Sequence, residues 1–300
     1  MYAITGATGN TGSINAERLL AQGQKVRVIG RSAEKLERFV QQSAEPFLGA
    51  VEDAAAMTRA FTGARAVYLM IPPSMTSPNY RAEQERISDA YAAALDKAGV
   101  EYAVTLSSIG ADKPDKTGPV VGLHNLEQKL NRIARLNVLH LRAGYFMENL
   151  LMQASVIQMM GVTGGPLRAD LRIPLIATRD IGDYTVERLR QLDFSAKQTR
   201  ELLGPRDITM AEAAAILGAA IAKPNLGYKH FPDFMVKMGM TQMDVSSNVA
   251  DLLLEMSDAL NSGHMVALEP RSAENTTPTT LETFAAEVFA PRFQAKAARA

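Results

Sequence analysis

A glycine-rich segment near the start of the sequence has the spacing of a phosphate-binding turn. It reads G-A-T-G-N-T-G over residues 6–12, after an apolar run and before a stretch with helical spacing. In that context the first glycine permits a tight turn, the second lets a diphosphate approach the backbone and the third lets the helix pack on the strand. N–H groups at the helix start then bind the anion. A tight turn without a ligand is the alternative. The residues predicted to bind a dinucleotide are Gly6, Thr8, Gly9, Asn10, Thr11 and Gly12.

The residue after the second apolar run indicates which dinucleotide binds. Arg31 stands there, nineteen positions after Gly12, where chains that bind NAD carry an acidic residue. A guanidinium matches a ribose 2′-phosphate in charge and in planar shape. Lys35, four positions later, adds positive charge. We therefore predict NADP(H) in preference to NAD(H), with a solvated surface role for Arg31 as the alternative.

Short apolar runs alternate with stretches of helical spacing through the first half of the chain. Strands separated by helices pair in parallel through right-handed crossovers, and runs that are apolar on both faces suit a sheet covered on both sides. The predicted strands are 2–5, 25–29, 45–51, 66–71, 101–107 and 138–142, and the predicted helices are 13–22, 33–42, 54–61, 79–98 and 123–136.

This alternation predicts the α/β class, with a Rossmann-type doubly wound parallel sheet and a smaller, mainly helical C-terminal substrate region. The pattern changes after residue 148, so we assign residues 1–148 to an NADP-binding domain and 149–300 to a substrate-binding region. A strand and a helix near 171–190 are expected to return to the sheet. Asp180 is the predicted N-cap of that helix, and Thr209 with Glu212 forms a predicted capping box.

The composition excludes several classes of protein and site. The 300 residues carry 32 basic and 32 acidic side chains, without the basic excess of a nucleic-acid binder. The absence of cysteine excludes disulfides and thiolate chemistry, and the four histidines are too far apart in sequence to form a local metal site. No signal peptide or membrane span is recognisable, so we predict a soluble, cytoplasmic protein without metal, membrane or direct nucleic-acid partners.

Motifs along the whole chain carry a family resemblance. Besides the glycine segment they are V-I-G-R-S at 28–32, V-Y-L-M-I-P-P at 67–73, L-S-S-I-G-A-D at 106–112, H-N-L-E at 124–127, L-R-A-G-Y-F-M-E-N at 141–149 and R-D-I-G at 179–182. With them the sequence resembles the NmrA-like branch of the atypical, extended short-chain dehydrogenase/reductases. That branch includes quinone and dye reductases, phenylpropanoid reductases and NADP-binding redox sensors.

The resemblance implies roles for residues at the carboxyl ends of the predicted strands, where ligands of open α/β sheets bind. Met70, Ile71 and Pro72 would lie beside the nicotinamide ribose. Ser107 and Ser108 would face the active-site crevice, and Ser107 would contact the cofactor or the substrate. The residues implied near the nicotinamide and the substrate entrance are Tyr145, Phe146 and Asn149.

The proton relay typical of short-chain dehydrogenases is missing. None of the eight tyrosines is followed by lysine four positions later. His124 is the substitute candidate, one helical turn before Glu127, because a histidine can donate a proton near neutral pH. Tyr145 and Ser107 are the other catalytic candidates. Packing or backbone hydrogen bonding is the alternative role for each, and Glu127 is expected to be mainly structural.

Methionines and phenylalanines are frequent between residues 231 and 256. Phe234 and Met238 are predicted pocket residues, since thioethers suit an adaptable apolar pocket, although an ordinary helical core would use the same residues.

We predict an NADPH-dependent reductase that passes hydride to an apolar, aromatic quinone- or dye-like acceptor. The alternatives are a non-catalytic NADP(H) sensor with a regulatory protein partner and an NADP-dependent isomerase or epimerase. A homodimer is also compatible with the sequence.

Overall fold

The computed structural model describes residues 1–297 and contains a seven-stranded parallel sheet. The strands of the chain are β1 (Tyr2–Ile4), β2 (Val26–Gly30), β3 (Glu45–Leu48), β4 (Ala66–Leu69), β5 (Tyr102–Ser108), β6 (Asn137–Ala143), β7 (Tyr145–Phe146), β8 (Thr163–Gly165), β9 (Arg172–Ile176), β10 (Lys197–Leu202), β11 (Asp207–Thr209) and β12 (Tyr228–His230). The main sheet has the order β10-β6-β5-β4-β1-β2-β3.

Helices cover both faces of this sheet. The helices of the chain are α1 (Asn10–Ala21), α2 (Ala33–Val40), α3 (Ala54–Phe61), α4 (Tyr80–Ala98), α5 (Val120–Asn131), α6 (Gln153–Met160), α7 (Thr178–Gln191), α8 (Met210–Ala220), α9 (Asp233–Gln242), α10 (Ser247–Ser262), α11 (Leu281–Phe284) and α12 (Ala290–Ala297). Apolar residues of α1, α2 and α7 form one core with the sheet, and those of α3, α4 and α5 form the other. The predicted doubly wound Rossmann fold is therefore confirmed.

The strand that returns to the main sheet lies later than predicted. The strand within 171–190 is β9, which joins β7 and β11 in a separate three-stranded sheet. Helix α7 does return, and Gly182 lets it approach α1 so closely that a Cβ there would lie 2.4 Å from Ile14. The returning strand is β10, which pairs with β6 at the sheet edge. Its sequence, K-Q-T-R-E-L, is mostly polar because an edge strand is half exposed.

The start of α7 is also capped differently from the prediction. The helix begins at Thr178, whose N–H and hydroxyl donate to the carboxylate of Glu148 at 3.0 and 2.6 Å. Asp180 lies inside the helix, where its carboxylate accepts two hydrogen bonds from Thr279, at 2.9 and 2.6 Å. Asp180 therefore links α7 to the C-terminal segment by hydrogen bonds, and the distant Glu148 caps the helix.

The C-terminal region forms a core of its own around β9, α6, α8 and α11. A 3₁₀ helix, Met147–Met152, leads into α6, and a π-helical turn, Ala285–Phe289, joins α11 to α12. The capping box of Thr209 and Glu212 is confirmed at the start of α8. Among residues 1–297, no helix is both long and apolar enough to cross a membrane. Within the same residues, no three His, Asp or Glu side chains lie close enough together to hold a metal ion.

Candidate active site

The glycine turn joins β1 to α1, and the backbone favours glycine at its first position and excludes a Cβ at its last. Gly6 has a positive φ of 61°, and a Cβ on Gly12 would lie 2.2 Å from the carbonyl oxygen of Gly6. Helix α1 starts with Gly9 as its N-cap and without a side-chain cap on its first N–H groups. Thr8, Gly9 and Asn10 are exposed. The first turn of α1 thus presents backbone N–H groups that can bind an anion.

Thr11 differs from its neighbours in the turn. Its side chain is buried, and its hydroxyl forms a 2.8 Å hydrogen bond with the phenol of Tyr68 on β4. Because this hydroxyl is engaged in the core, only the backbone N–H of Thr11 is placed to contribute to anion binding. The prediction that Thr11 belongs to the phosphate-binding turn therefore concerns its backbone, and it stays a prediction.

Arg31 is exposed directly after β2, at the carboxyl edge of the sheet. Ser32 follows it and caps α2 by accepting from the N–H of Lys35. Neighbouring Arg27 is bound to Glu45 at 2.9 Å, whereas Arg31 and Lys35 have no ion-pair partner within residues 1–297. Two uncompensated cationic side chains thus lie at the edge where the adenosine end of a dinucleotide binds in Rossmann folds.

The segment after β4 is fixed beside the glycine turn. A Cβ on Gly6 would lie 2.5 Å from the sulfur of Met70, which places Met70 directly against the turn. Two tyrosine hydroxyls of α4 donate to the carbonyls of Met70 and Pro72 at 2.9 and 3.3 Å. Ile71 is buried between them. The structure therefore brings the segment 70–72 and the glycine turn together.

Ser107 lies at the end of β5 in a buried polar cluster. Its hydroxyl donates to the carboxylate of Glu127 on α5 at 2.6 Å, and the guanidinium of Arg142 on β6 donates to both oxygens of the same carboxylate. An ionised carboxylate only accepts, so the proton of Ser107 is committed to Glu127. The hydroxyl oxygen of Ser107 keeps its lone pairs as acceptors, and the predicted contact of Ser107 with cofactor or substrate stays a prediction.

The cluster continues to the edge of the sheet. Glu201 on β10 pairs in register with Arg142, and its carboxylate accepts from the N–H groups of Leu268 and Glu269, both at 2.8 Å. Burial raises the pKa of Glu201, while the two N–H donors oppose that shift. The cluster thus connects the ends of three strands to the segment that follows α10.

His124 is half-buried on α5, one turn above Glu127. Its Nδ1 lies 2.8 Å from the carbonyl oxygen of Ala111, and since a carbonyl only accepts, Nδ1 carries a proton. Nε2 then accepts in the neutral ring and donates in the imidazolium. His124 can therefore deliver a proton from Nε2 only when the ring is charged.

Tyr145 is half-buried on β7, and burial raises the pKa of its phenol. The phenol therefore keeps its proton at neutral pH and can donate it. Phe146 is half-buried against the core of the main sheet. Asn149 is exposed on the 3₁₀ helix that follows. Their roles, like that of His124, stay predictions.

A cavity of about 480 Å³ opens between the ends of β5 and β6 and the C-terminal region. Ser108 and Tyr145, two of the predicted site residues, line it. The sequence analysis did not identify the residues that form the rest of its wall, because they come from segments distant in the chain. These are Ile109, Ala143, Gly144, Arg168, Leu171–Pro174, Asp207, Met256, Leu260–Gly263 and Met265–Ala267.

Phe234 and Met238 are not part of this cavity wall. They lie on α9, a helix without a single buried residue, and are 71% and 54% exposed. The core interpretation of this helix is therefore wrong, and the pocket role of Phe234 and Met238 stays a prediction. The methionine-rich stretch 231–256 therefore lies in two different places. Its last methionine, Met256 on the next helix, lines the cavity, whereas Phe234 and Met238 do not.

Comparisons with known proteins agree with this architecture. A sequence model of the NmrA-like family matches residues 2–285. An NAD(P)H azoreductase of Xenophilus azovorans is 27% identical over 259 residues, which are 85% of this chain and 86% of that protein. The NADPH complex of Escherichia coli quinone oxidoreductase QOR2 has a TM-score of 0.81 at 21% identity, covering 96% of this chain and 100% of that one. Citrobacter sp. triphenylmethane reductase with NADP(H) gives a TM-score of 0.77 at 18% identity, covering 94% and 98%. The two structures share the fold of this chain.

Proposed function

The chain belongs to the NmrA-like family, and we propose that it is an NADPH-dependent reductase that passes hydride to an apolar, conjugated acceptor of the quinone or dye type. The observation that carries the proposal is the glycine turn, where Gly12 excludes any Cβ, Met70 lies against Gly6 and the first N–H groups of α1 have no side-chain cap. The azoreductase, quinone oxidoreductase and triphenylmethane reductase among its relatives support the acceptor class.

The residues present fit a phosphorylated dinucleotide. The first turn of α1 would hold the diphosphate, and Arg31 with Lys35 would bind the 2′-phosphate by charge. Residues 70–72 would lie beside the nicotinamide ribose. Ser107 would accept a hydrogen bond, for example from the carboxamide, because its own proton is bound by Glu127. When bound, NADPH supplies the hydride.

The protein's own residues then have to position the acceptor and supply a proton. A reduced quinone or azo acceptor delocalises its negative charge, so positioning accounts for much of the catalysis. His124, through Nε2 of its imidazolium, and Tyr145, through its phenol, are the proton donors that the geometry leaves available. This division of labour explains how the chain can function without a Tyr-x-x-x-Lys pair.

The test is NADPH oxidation, followed by the loss of its near-ultraviolet absorbance, with a panel of a quinone, an azo dye and a triphenylmethane dye. We expect oxidation with at least one acceptor, and calorimetric binding of NADPH tighter than that of NADH. Tight NADPH binding without oxidation by any acceptor would instead support a nicotinamide-sensing regulator. An isomerase would retain its cofactor and show no net oxidation.

A further inference from the structure

The cavity at the ends of β5 and β6 lies next to the expected cofactor site and shares Tyr145 with it. Most of the expected cofactor residues follow β1, β2 and β4, and β5, which carries Ser107, is the next strand after β4 in the sheet order. Ser108 and Ala143 place the cavity at the carboxyl ends of β5 and β6. A ligand in the cavity would therefore lie beyond the nicotinamide end of a bound dinucleotide, which is the place of the hydride acceptor.

The deepest part of the cavity wall is apolar. Met265 is buried and packs on Gly110, where a Cβ would lie 2.7 Å from its side chain. Met256 and Leu260 of α10 belong to the same apolar cluster. Methionine side chains adapt to flat rings and make favourable sulfur–aromatic contacts. A volume of about 480 Å³ lies within the range of small-molecule sites.

The two available proton donors differ in their relation to this cavity. Tyr145 lines it directly. Met265 packs with Ala111, and the carbonyl of Ala111 holds the ring of His124. Ser108, also in the wall, donates its own proton to the carbonyl of Ile109 and keeps its lone pairs free to accept. Tyr145 and Ser108 thus add polar groups to a wall that also contains Met256, Leu260 and Met265.

The charged residues at the rim are compensated within the protein. Arg168 binds Asp170 with two hydrogen bonds, at 3.1 and 2.8 Å, and Asp207 is paired with Arg271. Arg172 lies 3.6 Å from Glu212. With each charge matched by a partner, the rim offers no net attraction for an anionic substituent.

From these observations we propose that the cavity binds the ring system of an uncharged, planar aromatic acceptor. Met256, Leu260 and Met265 determine which ring systems fit. That the ligand is a hydride acceptor rests on the function proposed above.

The cavity is tested with 2-naphthol, a flat aromatic probe that cannot take up hydride. Ala267→Phe and Ser262→Phe would each fill the cavity from a different side. Leu268→Phe is the matched control, because Leu268 is adjacent in the chain, 55% exposed and not part of the wall.

Calorimetry should show that both cavity-filling variants bind 2-naphthol at least about tenfold more weakly than the original protein, while Leu268→Phe stays within about twofold. Circular dichroism and NADPH binding establish that each variant is folded. Equal binding to all variants, no binding to the original protein, or preferential binding of naphthalene-2-sulfonate would each overturn the assignment.

The binding measurement does not depend on turnover, so it separates the two proposals. If the original protein binds 2-naphthol, Ala267→Phe weakens that binding and no acceptor oxidises NADPH, the cavity assignment stands and the reductase proposal fails. If NADPH is oxidised by menadione and Ala267→Phe leaves its KM unchanged, the reductase proposal stands and the cavity assignment fails. When both are right, Ala267→Phe raises the KM for menadione and leaves the affinity for NADPH unchanged.

Discussion

Glu127 and Arg142 form a bidentate ion pair beneath the carboxyl ends of β5 and β6, with N···O distances of 3.1 and 2.6 Å. Only 3% of the Glu127 side chain and 13% of the Arg142 side chain are exposed. Two buried charges therefore compensate each other, and the carboxylate has a further donor in Ser107. This arrangement determines which way the hydroxyl of Ser107 points at the end of the strand next to the expected cofactor.

Glu127→Gln should lower the free energy of unfolding by about 3–5 kcal/mol, because the buried guanidinium of Arg142 loses the carboxylate that it binds. Urea unfolding measures this change. The control is Asp183→Asn, which breaks the exposed pair with Arg18 and should cost about 1 kcal/mol or less. Equal effects of the two substitutions would mean that the Glu127–Arg142 pair is solvated.

Arg31→Ala should weaken NADPH binding by about 1–3 kcal/mol, the contribution of a hydrogen bond to a charged group. The affinity for NADH should not change, because NADH has no 2′-phosphate. Calorimetry with both cofactors tests this. Arg38→Ala is the control, since Arg38 is exposed on α2 and lies 3.6 Å from Glu17. Equal weakening of NADPH and NADH would remove Arg31 from the phosphate site.

His124→Phe should lower kcat with a quinone by on the order of a hundredfold, the effect of losing a general acid, and leave NADPH affinity unchanged. Only Nε2 can deliver this proton, because Nδ1–H is held by the carbonyl of Ala111. His230→Phe is the control, because His230 is exposed on β12.

A kcat that His124→Phe leaves unchanged between neutral and mildly alkaline pH would assign the proton to Tyr145 instead. The raised pKa of this phenol keeps it protonated over that range. Tyr145→Phe would then be the slow variant, and His124→Phe would turn over normally.

His140 should make the protein less stable in weak acid. Burial lowers the pKa of this histidine to about 4, and its ring is held between Thr105 and Asn131 at 2.8 and 3.1 Å. The nearby charges partly offset one another, with Glu127 raising the pKa and with Arg142 and Lys197 lowering it. Since the unfolded chain takes up a proton near pH 6.5 and the folded chain only near pH 4, stability falls as pH drops between these values.

The loss should approach roughly 3 kcal/mol once pH falls below the folded-state pKa, and it should be absent above pH 7. Urea unfolding at a series of pH values measures it. His140→Gln should flatten the dependence between pH 7 and pH 5, whereas His230→Gln, at an exposed site, should leave it unchanged. An unchanged slope in His140→Gln would assign the acid sensitivity to other groups.

The sequence predicted those features of the fold that depend on neighbouring residues. The glycine turn and the capping box of Thr209 are local patterns, and both are found where predicted. Strand β10 was missed because an edge strand does not need an apolar run. The cap of α7 was missed because Glu148 lies thirty residues before Thr178. The cavity could not be predicted, since its wall combines segments distant in the chain.

Gly9→Ala and Gly12→Ala should separate cofactor binding from folding. A Cβ on Gly12 would lie 2.2 Å from the carbonyl oxygen of Gly6 and 3.0 Å from that of Thr5, both backbone atoms, so Gly12→Ala must push α1 away from β1. At Gly9 the nearest atom is 3.3 Å away and φ is −91°, which alanine adopts. We therefore expect Gly12→Ala to lower the free energy of unfolding by about 1–3 kcal/mol, as overpacking does, and Gly9→Ala to change it by less than about 1 kcal/mol.

The affinity for NADPH distinguishes a nucleotide turn from a purely structural one. Gly9→Ala places a methyl group where the diphosphate would approach the backbone, so it should weaken NADPH binding about tenfold or more in a folded protein. Gly239→Ala is the control, because nothing lies within 4 Å of a Cβ there and alanine favours the helix. If Gly9→Ala folds and binds NADPH as tightly as the original protein, the diphosphate does not bind at this turn. An anion held against the Gly9 backbone would collide with the added methyl group.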